Sequence, residues 1–218
     1  MDASEPDGFA RGDAMAPKGD GAPRGEAGEG HCEPGLVFCD DFEDGASAWL
    51  STGEAWKAVD DPTSEAGNQV LAPAEPSASC AYFPLGAWQD MTVEVRVRVL
   101  AFGLPSSSSR AEVYARYQDA GHLYAVSLHG DGKLGLRRNG SGFGTAASVA
   151  VAENEWHTLE IKVSGPEDAV AVEGHLDGVL LTTATDTSGA LAGPVGTVGL
   201  GVYGGASAVF DDLKVSSP

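Results

Sequence analysis

Two groups of side chains in this chain have types and spacings that could do chemistry. The first is acidic and lies at both ends of the patterned region: Asp40, Asp41, Glu43 and Asp44 early, Asp211 and Asp212 late. Crowded carboxylates repel one another, and a hard divalent cation relieves that repulsion by taking their oxygens as ligands. If the segments that carry them are neighbours in the fold, Asp40, Asp41, Asp211 and Asp212 are the expected ligands of a structural Ca²⁺. The alternative is that these side chains face water or satisfy turn backbone.

The second group is polar and aromatic. Arg96 and Arg98 share one side of the run 92–102. Tyr114 and Arg116 fall on the side of 112–118 that also carries Glu112, with Tyr124, His129 and then Arg138 further on. Aromatic rings stack on the C–H face of a pyranose, and guanidinium forks donate to hydroxyls or carboxylates. Arg96, Arg98, Tyr114, Arg116, Tyr124 and Arg138 are therefore the expected ligand-binding residues of one sheet face. Their charge points to a glycan carrying carboxylates or sulfates. The competing reading pairs these arginines with neighbouring glutamates on a solvated face.

Other candidates carry less. His122, His129, His157 and His175 fall on strands or turns, and His31 lies before the patterned region; they read as hydrogen-bonded sheet residues. Trp49, Trp56, Trp88 and Trp156 read as core or edge residues. No E-x-D-x-x-E, G-x-S-x-G or H-E-x-x-H occurs, and no G-x-G-x-x-G stands where a nucleotide fingerprint would. Gly140, Gly142 and Gly144 are assigned to a hairpin loop. No catalytic residue is named.

The elements that position these residues are short strands. In TVEVRVRVLAF, residues 92–102, four valines point one way while Thr92, Glu94, Arg96, Arg98 and Leu100 point the other. That period of two marks a half-buried strand. Similar runs cover 112–118, 122–129, 133–138, 156–164, 169–176, 179–186, 197–203 and 208–215. Asp131-Gly132, Asn139-Gly140, Gly165-Pro166 and Asp177-Gly178 punctuate them as turns. No segment keeps helical periodicity for long. The fold class is all-β, a two-sheet antiparallel sandwich.

Composition sets the outer limits. The chain has 218 residues, with 13 Lys plus Arg against 32 Asp plus Glu, a net charge of −19. So acidic a protein is repelled by nucleic acid and anionic lipid. Residues 1–34 are rich in Gly, Ala, Pro, Asp and Glu, and read as a disordered acidic linker before a domain at 35–218. Nothing approaches a membrane span, and the first residues lack a signal-peptide pattern. Cys32, Cys39 and Cys80 make one disulfide and one free thiol, with Cys39–Cys80 preferred and Cys32–Cys39 as competitor.

Several segments together resemble a known superfamily: VFCDDFEDG at 37–45, VYARYQDAGHLYAVSLHGDGKLGLRR at 113–138, EWHTL at 155–159, LDGVLLTTATD at 176–186 and VGLGVYGGASAVFDDLKV at 198–215. Their order resembles the concanavalin A-like lectin/glucanase superfamily, nearest its laminin-G-like and 3-keto-disaccharide-hydrolase-like domains. The resemblance implies a jelly roll whose first and last strands lie side by side, and an interest in carbohydrate. The expected function is an exported, non-catalytic, monomeric carbohydrate-binding module, extracellular or at the cell surface and lipid-anchored through a removed segment, with a glycan partner. A polysaccharide lyase using Tyr114 or Tyr124 as base, a glycoside hydrolase, and a protein-interaction domain are the alternatives.

Overall fold

The computed structural model describes residues 32–61, 63, 67–75, 78–189, 191 and 193–217. The expected linker at 1–34 therefore lies, as far as residue 31, outside the described residues.

Every regular element among the described residues is a strand. In order they are β1 (Leu36–Asp40), β2 (Leu50–Thr52), β3 (Trp56–Asp60), β4 (Gln69–Pro73), β5 (Ser79–Tyr82), β6 (Met91–Ala101), β7 (Arg110–Asp119) and β8 (His122–His129). They continue with β9 (Lys133–Arg138), β10 (Ser141–Ser148), β11 (Trp156–Ser164), β12 (Val170–Leu176), β13 (Val179–Asp186), β14 (Thr197–Tyr203) and β15 (Ser207–Ser216). One sheet runs β13-β12-β11-β6-β15-β4-β3 with β1 also on β15, and the other runs β10-β9-β8-β7-β14-β5-β2. All pairings are antiparallel, as an antiparallel jelly-roll sandwich requires.

Alternation builds the core between the sheets. Val93, Val95, Val97 and Val99 point inward from β6, beside Leu159, Ile161 and Val163 of β11. Val113, Val126, Leu128, Leu134, Leu136, Val198, Leu200 and Val202 face them from the other sheet. Each such side chain stabilises the fold by about 1.5–3 kcal/mol relative to exposure. The Asp177-Gly178 and Asn139-Gly140 turns have positive φ at both residues, the geometry that suits the right-handed twist of a two-residue hairpin.

Three expectations are corrected. Residues 141–148 form β10, an edge strand paired with β9, where a loop was expected. Its Gly, Ala, Ser and Thr residues are mostly exposed, so it carries no apolar alternation to read. The disulfide is Cys32–Cys39, and Cys80 is a buried free thiol. Cys39 lies on the eight-stranded sheet, whereas Cys80 lies on β5 of the other sheet against Thr52 and Tyr117, so Cys39–Cys80 would have to cross the sandwich. Finally, strict alternation fails in β7. A bulge at Arg116, with φ 48°, gives Tyr117 the face that Arg116 was expected to share with Tyr114.

Candidate functional site

The outer face of the seven-stranded sheet gathers the polar and aromatic groups. Register places Tyr203, Arg110, His129 and Lys133 in one row across β14, β7, β8 and β9. The next row holds Cys80, Gly201, Glu112, Ser127 and Gly135, and the one after it Tyr82, Gly199, Tyr114, Ala125 and Arg137.

Glu112 is the centre of this face. Arg110 Nε donates to Glu112 Oε1 at 2.6 Å and Ser127 Oγ donates to the same oxygen at 2.8 Å. Tyr114 Oη donates to Oε2 at 3.1 Å, and Arg137 Nε lies 3.1 Å from Oε1. Tyr114 is also hydrogen-bonded to the Tyr203 hydroxyl at 2.9 Å, and Arg110 stacks over the Tyr203 ring at 4.2 Å. Two glycines make room for Tyr114: a Cβ at Gly201 would stand 1.9 Å from its hydroxyl and one at Gly199 2.8 Å from its ring. Burial, then the Glu112 charge, push the Tyr114 hydroxyl well above its ordinary pKa, so it stays protonated. Tyr82 and Tyr117 stack at 4.9 Å beside it, with Tyr82 half-buried.

Beside Glu112, over β9 and β10, lies an open depression of about 320 Å³ lined by Ser107, His129, Asp131, Lys133, Gly135 and Arg137 among others. Gly135, Gly142 and Gly144 are among its lining residues, with Leu136, Phe143 and Ala146. Burial holds the His129 imidazole below its ordinary pKa, against the hydrogen bond to the Ser107 carbonyl and the charge of Glu112. Lys133 pairs with Asp131 at 2.9 Å.

The six expected ligand-binding residues do not share this face. Tyr114 lies on it, buried beneath its neighbours at 1% exposure. Arg96 and Arg98 are on the outer face of the opposite sheet, stacked over Trp156 at 4.5 and 4.9 Å. Arg98 is buried against Asp61 at 2.6 Å, and Arg96 meets Asp212 at 3.0 Å. Arg116 is buried at one end of the sandwich, donating to the carbonyls of Gln89 at 2.6 Å and Gly165 at 2.7 Å. Tyr124 points into the core and donates to Asp186 at 2.7 Å; Arg138 lies beside it and donates to the same carboxylate at 2.6 Å. Tyr124 thus faces away from this face, and the Tyr114 hydroxyl is buried and already donates to Glu112.

The reading of the residues missed Arg110, Tyr203, Tyr82 and Arg137. Arg137 was legible: Leu134 and Leu136 point inward, so Lys133, Gly135 and Arg137 must point out, and Arg138 in.

The acidic ends do come together, since β1 pairs with β15. Asp40, Asp41 and Asp212 line one shallow cleft with Glu33 and Lys214, and Asp211 is not among its lining residues. Asp40 accepts from Trp49 Nε1 and Phe42 N, both at 2.8 Å, while burial outweighs these bonds and raises its pKa. Asp211 accepts from Asn68 at 3.0 Å and from the Asp212 amide. Among the described residues no group of three or more His, Cys, Asp or Glu is placed to hold a metal ion. A calcium ion here would have to draw Asp40 from Trp49 and Asp212 from Arg96.

Comparison with known proteins agrees with this architecture. The sequence profile of the 3-keto-alpha-glucoside-1,2-lyase-like domain matches residues 40–216. Among solved structures, the carbohydrate-binding module CBM66 from Bacillus subtilis is similar, at 18% identity and a TM-score of 0.57, over 78% of this chain and 96% of the module. The cellulose-induced protein Cip1 is similar at 15% identity and a TM-score of 0.59, over 83% of this chain and 97% of its own. The exoplasmic/lumenal domain of VIP36, solved in a Ca²⁺/Man3GlcNAc-bound form, is similar at 11% identity and a TM-score of 0.53, over 79% and 84%. At these identities the likeness concerns the concanavalin A-like jelly-roll fold. No curated protein matches the chain in sequence.

Proposed function

The chain belongs to the 3-keto-alpha-glucoside-1,2-lyase-like domain family, and from that premise we propose that it is a carbohydrate-binding domain whose glycan lies on the outer face of the seven-stranded sheet. One observation carries the reading. Glu112, held by Arg110, Ser127, Tyr114 and Arg137, stands beside an open depression lined in part by glycines. Sugar sites need such preformed donors and acceptors on a shape a ring can enter. A glycan as partner, an extracellular or cell-surface location and a monomeric state complete the proposal. The Cys32–Cys39 disulfide supports an oxidising compartment.

A second reading is favoured by the family's named chemistry and by His129. Elimination from a 3-keto-glucoside removes the C2 proton, forms a C1=C2 double bond and expels the C1 oxygen substituent. A neutral imidazole in the depression is a suitable base for that proton. Calorimetry against a glycan panel, run beside incubation with a 3-keto-glucoside, separates the two. Saturable heat without new enone absorbance is the outcome expected of a binding domain. Enone absorbance that disappears in His129→Ala would make it an enzyme, and a blank panel with no turnover would remove both readings.

A further inference from the structure

We propose that the glycan taken by this face carries carboxylate or sulfate groups, held by Arg110 and Arg137 beside Glu112 and by Lys133 further along the depression. The proposal rests on the reading of this face as a carbohydrate site and names the chemical class of its ligand.

Charge on this face runs against that of the chain. The whole sequence carries 32 Asp plus Glu against 13 Lys plus Arg. The strands of the seven-stranded sheet reverse that balance, with Arg110, Arg116, Lys133, Arg137 and Arg138 against Glu112 and Asp119. Arg116 is buried at one end of the sandwich, Arg138 is paired with Asp186, and Asp119 meets His122 at the far end of β7. At the centre of the outer face one carboxylate is shared by two guanidiniums. Arg110 Nε meets Glu112 Oε1 at 2.6 Å, and Arg137 Nε stands 3.1 Å from the same oxygen. Lys133 and Asp131 form a separate pair at 2.9 Å. Among the described residues, then, one positive charge on this face has no counter-charge. Burial holds the Arg137 guanidinium below its ordinary pKa; Glu112 opposes this, and the like charge of Arg110 adds to it. A ligand anion seated here would stabilise both charged side chains.

The donors are fixed in advance and only partly used. Arg110 gives Nη1 to the Ser108 carbonyl at 3.0 Å and lies over the Tyr203 ring at 4.2 Å. Arg137 gives Nη2 to the Gly140 carbonyl. Side chains held in this way lose little rotamer freedom when a ligand arrives. Arg110 Nη2 and Arg137 Nη1 make no hydrogen bond among the described residues and remain open to solvent. Hydrogen bonds from guanidinium to an anionic oxygen are roughly twice as strong as neutral ones. Lys133 lines the same depression as Arg137, with its side chain half-exposed. The two lie four residues apart on β9, which is about 13 Å along a strand. They would therefore meet separate charges of one chain, as a polymer with an anion on successive sugars provides.

Calorimetric titration near neutral pH tests this with three probes: oligogalacturonate, a sulfated galactan, and a set of neutral galacto- and gluco-oligosaccharides. Binding is expected with the carboxylated probe, the sulfated probe or both, and whichever binds names the group. The neutral set is expected to bind at least about tenfold more weakly. Added NaCl should weaken binding of the anionic probe. A chain with a net charge of −19 has no general attraction for polyanions, so binding of one reports a local patch. Arg137→Gln is expected to weaken it about tenfold, and Lys133→Gln about two- to fivefold. If Arg137→Gln fails to fold, Lys133→Gln, a change at a half-exposed side chain, still decides the matter. A neutral set that binds as tightly as the anionic probes, or alone, would overturn this inference and leave the carbohydrate site standing. Unchanged affinity in the folded variants would also overturn it. Silence with all three probes would overturn it together with the function on which it rests.

Discussion

Glu112 holds two cations and two hydroxyls in place from a nearly closed position, its side chain 4% exposed. Replacing it with alanine leaves Arg110 and Arg137 facing each other without a counter-charge. Loss of one partner from a buried pair costs about 3–5 kcal/mol, and that destabilisation is expected for Glu112→Ala in urea unfolding. Glu112→Gln, which keeps the shape and one acceptor, should lose less. His129 carries the pH dependence of the same face. Its folded pKa is lowered from 6.5 by burial, opposed by Ser107 and Glu112 and reinforced by the Arg137 charge. Below pH 6.5 the unfolded chain therefore takes up a proton that the folded chain refuses. Its contribution is full above that pH, declines as pH falls below it, and levels off once the folded ring protonates. Wild type should lose more stability than His129→Gln between pH 7.5 and 5.5, a window on the order of one unit either side of the ordinary histidine value. Equal losses would remove His129 as the cause.

At the scale of the strand, what the sequence discloses depends on which face is apolar. The runs 122–129, 133–138, 156–164 and 197–203 coincide with β8, β9, β11 and β14 because large apolar residues alternate inward along most of each, whereas 179–186 coincides with β13 although its Val179 and Leu180 are exposed. β10 stayed hidden because nothing in it needs burial. Parity would have placed Arg137 outward and Arg138 inward, although Arg138 was the one expected in the site, and it fails at Arg116, where the bulge inserts a residue that no local pattern announces. Which outward face would form the site was beyond the pattern, since Arg96 and Glu112 are equally polar positions on different sheets. Close approach between strands is equally silent. Gly201 alternates with Leu200 and Val202 like any turn-prone glycine, yet its missing side chain is the seat of the Tyr114 ring. Gly201→Ala should displace that ring, lower stability by about 1–3 kcal/mol as overpacking does, and weaken glycan binding. A variant with unchanged melting temperature and unchanged affinity would show that Tyr114 does not need this seat.

The whole molecule pairs two sheets with different outer surfaces. The eight-stranded sheet carries ion pairs and arginine–tryptophan stacks, and the seven-stranded sheet carries the candidate site. Because Asp40 and Asp212 are already engaged near the cleft at β1 and β15, adding Ca²⁺ to EDTA-treated protein is expected to leave the melting temperature unchanged. A saturable rise would instead establish an ion there.

The pairing of Leu36 with Ser216 has a further consequence for how this domain is carried. The first and last described strands meet at one spot on the eight-stranded sheet, whereas the depression lies on the other sheet. A domain wired in this way can be spliced into a surface loop of a larger protein, or hung from a tether, without its host having to stretch. In either setting the opposite side would still point outward, free to meet a polymer.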